Sequence, residues 1–167
     1  MKTPAKPPAQ TPVIGIGALF YSVETQRCLY LLRSQKQKNT WGLVGGKQIQ
    51  GECIQSTLYR EFVEEIGQVP MPSKLIPIET FTSETSKFIY YTYMITVDEE
   101  FVPILNDESA GYCWVNVGFW PKPLHNGAKN LLYSKSFRHK LDAIIAHIHS
   151  EDYDRENIAF PCIATSA

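Results

Sequence analysis

Apolar and polar positions alternate in short blocks along most of this chain, and the period changes only twice. Val13 to Tyr21 is small and apolar and reads as a buried strand. Cys28 to Arg33 reads as a second strand, joined to it by a turn near Glu24-Thr25-Gln26. Ser34 to Thr40 is a polar loop, and Trp41 to Lys47 a short strand. Ile54, Leu58, Phe62 and Ile66 then recur every four residues, so a helix with one apolar stripe runs from about Cys53 to Ile66, and Gly67 is placed to end it. Leu75 to Phe81 and Lys87 to Val97 read as strands around a hairpin loop at Thr82 to Ser86, and Gly111 to Val115 as another. After a proline-punctuated loop from Trp120 to Gly127, a last helix spans about Lys129 to His149, with Leu132, Phe137, Leu141, Ile144, Ile145 and Ile148 on one face. That face suits the core or a second copy in a homodimer. Mixed strands with one internal and one C-terminal helix predict an α/β fold, an α/β/α sandwich around a mixed β-sheet.

Composition narrows the function classes. With 167 residues and no repeat, one domain over 13–149 is expected. Pro4, Pro7, Pro8 and Pro12 mark residues 1–12 as a flexible tail, and 150–167 reads as a second tail. A formal net charge of −1 excludes bulk nucleic-acid binding. There is no signal-peptide core and no apolar run long enough for a membrane, so a cytoplasmic protein is expected. Cys28, Cys53, Cys113 and Cys162 are scattered without a C-x-x-C, which argues for buried free thiols rather than structural zinc. Gly15-Ile16-Gly17 is no dinucleotide fingerprint, because neither a third Gly nor a helix follows.

The chemistry concentrates between residues 46 and 68. Glu61, Glu64 and Glu65 lie three and four apart on the helix, where like charges repel, and close to its C-terminus, where the macrodipole disfavours anions. At about 100° per residue, Glu61 and Glu65 fall on the edge of the apolar stripe. Their carboxylates are therefore half withdrawn from water, a costly placement that a hard cation relieves; oxygen ligands suit Mg²⁺, or alternatively Mn²⁺. The competing reading is a solvated acidic face with Arg60 as its counter-charge.

Gly46, Glu52, Arg60-Glu61, Glu64-Glu65 and Gly67 together resemble the Nudix box, G-x5-E-x7-R-E-U-x-E-E-x-G-U, where U is bulky and apolar. Seven fixed positions match by chance on the order of 10⁻⁹ to 10⁻⁸ per start point. The match departs at Gln68, where the family prefers an apolar residue, and at Leu43-Val44, where many relatives carry Pro before the glycine pair. The resemblance implies a Nudix-type sandwich, an Arg60–Glu52 pair holding the loop, and a backbone carbonyl at Gly46 or Gly45 beside the metal. It implies Glu61, Glu65 and then Glu64 as metal ligands, and Glu52, Arg60, Glu61, Glu64 and Glu65 as the catalytic set.

The same resemblance implies Mg²⁺-dependent hydrolysis of a nucleoside diphosphate linked to another group. A nucleotide sugar such as ADP-ribose or GDP-mannose is favoured over dinucleoside polyphosphates and nucleoside triphosphates, because the 118–130 loop suits a lid for a larger leaving group. Residues 82–86 match neither the Pro of many ADP-ribose-hydrolysing relatives nor the Tyr of many acting on dinucleoside polyphosphates. The general base is a box Glu or a loop acid, with Glu84, Asp107 and Glu108 as candidates. Arg33, Lys47 and Glu108 are candidates for substrate binding, and Phe20, Tyr21, Trp41 or Tyr90 for stacking on a base. His125 reads as a surface residue of the loop. The alternative is a non-catalytic nucleotide-binding sensor of the same fold; retention of all four box glutamates argues against it.

Overall fold

The computed structural model describes residues 11–68, 70–71, 74–83, 85 and 87–150. Glu84, Cys162 and nearly all of both expected tails lie outside the described residues.

Strand β1 (Val13–Ser22) is the spine of a seven-stranded mixed sheet. Along one edge it pairs in parallel over its whole length with β6 (Phe88–Val97), which pairs antiparallel with β5 (Lys74–Ser83). Pro77 has no amide to give to that ladder, and the β5 register shifts between Pro77 and Glu79. The other edge of β1 is shared. Tyr21 and Ser22 pair with the start of β2 (Arg27–Arg33), while Gly15 to Ala18 pair with β4 (Val44–Lys47). β2 then pairs antiparallel with β7 (Ser109–Asn116) and with β3 (Trp41–Gly42). The expected strand over residues 41–47 is thus two strands serving different partners, and β4 sits where β1 and β2 separate. The 34–40 loop holds a 3-10 turn at Gln35–Gln37.

Side-chain alternation builds two cores, one on each sheet face. Ile16, Ala18 and Phe20 of β1 face α1 (Ile54–Ile66) and meet its buried Leu58, Phe62 and Ile66. Leu19 and Tyr21 face the other way, toward α2 (Asn126–Leu132) and α3 (Lys135–Ile148), where Leu132, Phe137, Leu141 and Ile148 are buried. That is an α/β/α sandwich around a mixed sheet. The last helix is two helices, not one. Ser134 ends the first run and caps the second, its Oγ accepting from the Phe137 amide at 3.4 Å. The apolar spacing shows the same break, because Leu132 to Phe137 is a step of five and leaves the helical face.

Phe20 and Tyr21 are fully buried in these cores, so neither can stack on a ligand. Cys28 is buried and Cys113 half-buried, but Cys53 is exposed as the N-cap of α1, accepting from the Ser56 amide at 3.4 Å. The buried-hydrophobe reading fails for Cys53 because a capping side chain must face the helix end.

Candidate active site

Helix α1 carries its acids at graded depth. Glu61 is 7 % exposed, Glu65 is half-buried and Glu64 is exposed. The stripe of Leu58, Phe62 and Ile66 docks on the sheet, and Glu61 and Glu65 at its edge meet Gly46 and Gly45 of β4. Gly67 closes the helix at φ 66°, leaving the acids on its last two turns.

The glycine pair supplies the opposing wall. Gly45 has φ 140°, and a Cβ there would lie 2.1 Å from the Ile16 carbonyl oxygen, so no other residue fits. Its amide donates to Glu65 Oε2 at 2.7 Å. A Cβ on Gly46 would lie 2.3 Å from Glu61 Oε1, so the bare backbone leaves the room that the carboxylate fills.

Arg60 joins the loop to the helix. Its Nε donates to Glu52 Oε1 at 2.8 Å and its Nη2 to Glu52 Oε2 at 3.1 Å, a bidentate grip. Nη2 also reaches the Lys47 carbonyl at 2.9 Å, while Nη1 donates to Glu61 Oε1 at 2.6 Å and to Glu64 Oε2 at 3.1 Å. Glu52 is further held by the Ile49 amide at 3.0 Å and the Thr57 hydroxyl at 2.8 Å. Thr57 is fully buried and escaped the sequence reading; its one signal was a polar residue inside the apolar stripe.

These placements set the charges. Hydrogen bonds from Arg60, then from Ile49, bring the Glu52 carboxyl down to about 2. Burial pushes Glu65 up to about 7; the Gly45 amide and Arg33 oppose this, and Glu61 and Glu108 add to it. Burial raises Glu61 as well, with Arg60 opposing. Tyr90 lies on the other sheet face over Gly15 and Gly17, where a Cβ at 17 would meet its hydroxyl at 2.1 Å. Burial first, then Glu65, pushes its phenol up to about 12.

The other sequence candidates are placed unevenly. Arg33 is half-buried and close enough to act on both Glu65 and Tyr90. Glu108 lies on the exposed turn before β7, near enough to raise Glu61 and Glu65. Lys47 is exposed, and it is its carbonyl that meets Arg60. Trp41 is half-buried and packs at the α2–α3 core. His125 is a surface residue, as expected; it also caps α2 through Nδ1, which accepts from the Gly127 amide at 3.2 Å, and it lines a cleft with Arg33. Lys36, Lys38, Thr40 and Asn126 share that cleft and were missed, because only tertiary contact joins the 33–40 loop to the 121–126 loop.

Buried carboxylates beside paired glycines can take a hard dication, since oxygen donors with raised pKa values are short of compensating charge. Among the described residues, no three His, Cys, Asp or Glu side chains already converge as a ligand set. Arg60 instead occupies Glu61 and Glu64, so metal entry would turn those side chains away from it.

An α/β/α sandwich with a glycine turn facing an acidic helix end defines the class of site, one suited to a hard dication. The NUDIX domain model matches residues 11–134, and the chain belongs to the Nudix family. Among solved structures, a MutT Nudix hydrolase from Burkholderia pseudomallei superposes with a TM-score of 0.59 at 22% identity, covering 74% of this chain and 97% of that one. The Nudix domain of Shewanella oneidensis NrtR, solved with ADP ribose, gives a TM-score of 0.59 at 19% identity, covering 83% and 94%. An ADP-ribose pyrophosphatase from Streptococcus suis gives 0.55 at 14% identity, covering 86% and 97%. No curated protein matches the chain by sequence. Family and fold agree: the chain carries a Nudix domain on the Nudix sandwich.

Proposed function

We propose that this Nudix protein is a pyrophosphohydrolase that cleaves a nucleoside diphosphate linked to another group, with Mg²⁺ as its metal and Mn²⁺ as a substitute. The observation that carries this reading is the pair of withdrawn carboxylates, Glu61 and Glu65, facing Gly45 and Gly46. A bound dication would neutralise charge on the diphosphate and make a water acidic. Glu61 and Glu65 would hold it, with Glu64 and a glycine carbonyl at Gly46 or Gly45 beside them. Glu64, exposed at the end of α1, is our choice to take the proton as water oxygen bonds to phosphorus and the bridging P–O bond breaks. Arg60 and Glu52 position the helix against the glycine turn, and Arg33 with Lys47 meets the phosphate oxygens.

A nucleotide sugar such as ADP-ribose is the favoured substrate. Its support is the loop that runs from Gly118 and docks on β3, the Trp41 amide meeting the Pro123 carbonyl at 2.8 Å, together with the ADP ribose bound by the NrtR domain. The protein is proposed to act in the cytoplasm. A second reading, a nucleotide-binding module without turnover, draws on Arg60, whose guanidinium already holds Glu61 and Glu64.

The deciding experiment is product release from ADP-ribose, GDP-mannose, diadenosine polyphosphates and the nucleoside triphosphates, with and without Mg²⁺ or Mn²⁺. Turnover that needs metal and drops by about 10²-fold or more in Glu65→Gln is expected. Nucleotide binding without metal and without turnover of any substrate would establish the second reading.

A further inference from the structure

A cleft of about 350 Å³ has walls that include Arg33, Lys36, Lys38, Thr40, His125 and Asn126, with no Asp or Glu among the described residues that line it. In a chain with 16 Lys and Arg against 17 Asp and Glu, three cations without an acid in one cleft are a local segregation of charge.

The backbone builds this cleft. The Arg33 amide bonds the Thr40 carbonyl at 2.9 Å and so folds the 3-10 turn back over the end of β2. Lys38 and Asn39 follow it at φ 68° and 48°, two left-handed residues in succession where neither is glycine. The far wall is tied down by the His125 amide bonding the Trp41 carbonyl at 2.8 Å. With its Nδ1 accepting from the Gly127 amide, a neutral His125 ring carries its proton on Nε2, as a donor. Arg33 and both lysines offer donors only, and Thr40 and Asn126 can donate as well. Arg33 also acts on Glu65, so the cleft and the carboxylates share one cation. Thr40 and Gly45 are five positions apart, at most about 18 Å of extended chain.

We propose that this cleft is a subsite for a second anionic group of the substrate, a phosphate standing beyond the scissile diphosphate. The inference rests on the proposed hydrolase reading and deepens it. Two sources share that chemistry: the next phosphate of a polyphosphate chain, or a monophosphate carried on the sugar at the far end. ADP-ribose itself would leave the subsite unfilled.

The test begins without turnover. Metal-free protein is titrated with inorganic phosphate and with tripolyphosphate while its backbone amides are followed by NMR. Shifts should concentrate at residues 33–40 and 124–126, weaken with salt, and require about tenfold more anion in Lys36→Gln/Lys38→Asn. Asn tolerates the left-handed backbone at 38, so the turn survives the change; an unaltered melting temperature confirms it. Anion binding elsewhere only, or equal affinity in the double variant, overturns the subsite.

Kinetics then separate the sources. The ratio of kcat/KM for adenosine triphosphate or diadenosine tetraphosphate to that for ADP-ribose should fall about tenfold in the variant if a chain phosphate fills the cleft. The same ratio for ADP-ribose bearing a phosphate on its terminal ribose should fall instead if a monophosphate does. No change in either preference overturns the proposal. Anion binding that the variant weakens, in a protein that hydrolyses nothing, would leave the subsite standing and remove the hydrolase reading.

Discussion

Glu65 is pulled in two directions: the apolar stripe draws it inward, and its charge requires water or a cation. Its folded value of about 7 lies above the ordinary carboxylate value of 4.5. Stability from this group is therefore fully present below about pH 4.5, where both states are protonated, and is lost as pH rises through about 7. Glu52 works in the opposite window. Its stabilisation is present above about 4.5 and lost toward about 2, so it is constant between pH 5 and 8. Metal-free protein should thus be less stable at pH 8 than at pH 5 by on the order of 3 kcal/mol. Urea unfolding in chelator, with Glu65→Gln beside the wild type, measures this; the variant should flatten most of the slope, and an equal slope in both proteins would refute it. The positions of the box residues were legible in sequence because helical spacing is local. Their depths were not: Glu61 and Glu65 share the stripe edge, and only docking against Gly45 and Gly46 ranks one as more buried than the other.

At the level of elements, periodicity located every strand and helix α1 to within a few residues and failed where an element changed partner. The run from Trp41 to Lys47 is one apolar block in sequence, yet Trp41 and Gly42 pair with β2 while Val44 to Lys47 pair with β1. Nothing in a local pattern encodes which neighbour a strand finds. The α2–α3 break is different, because the step of five from Leu132 to Phe137 and the serine before the second run were both readable. Ser134→Ala should cost about 1 kcal/mol by removing the cap on Phe137. Thermal unfolding checks the loss. Turnover below the melting range should be preserved, since α3 packs behind the sheet and away from the carboxylates.

Over the whole molecule, the two cores hold the sheet rigid while charge is left uncompensated at the point where β1 and β2 part. A ligand that binds only the folded state stabilises by mass action, about 2.7 kcal/mol at a hundredfold excess over its dissociation constant. Saturating Mg²⁺ at pH 8 should therefore raise the melting temperature by roughly 5–10 °C for a domain of this size. Glu65→Gln should lose most of that gain, and an equal gain in calorimetry for both proteins would place the metal elsewhere. The sequence by itself determined the α/β class, the amphipathic helix, its glycine stop and the acid-rich box, because each depends on residues within a few positions of one another. Tertiary structure alone decided that Glu61 lies deeper than Glu65 against the glycine pair, that Trp41 to Lys47 divides between two partner strands, and that His125 joins Arg33 and two lysines in one cleft. The two loops of that cleft lie more than eighty residues apart, and no local rule of spacing reaches across such a gap.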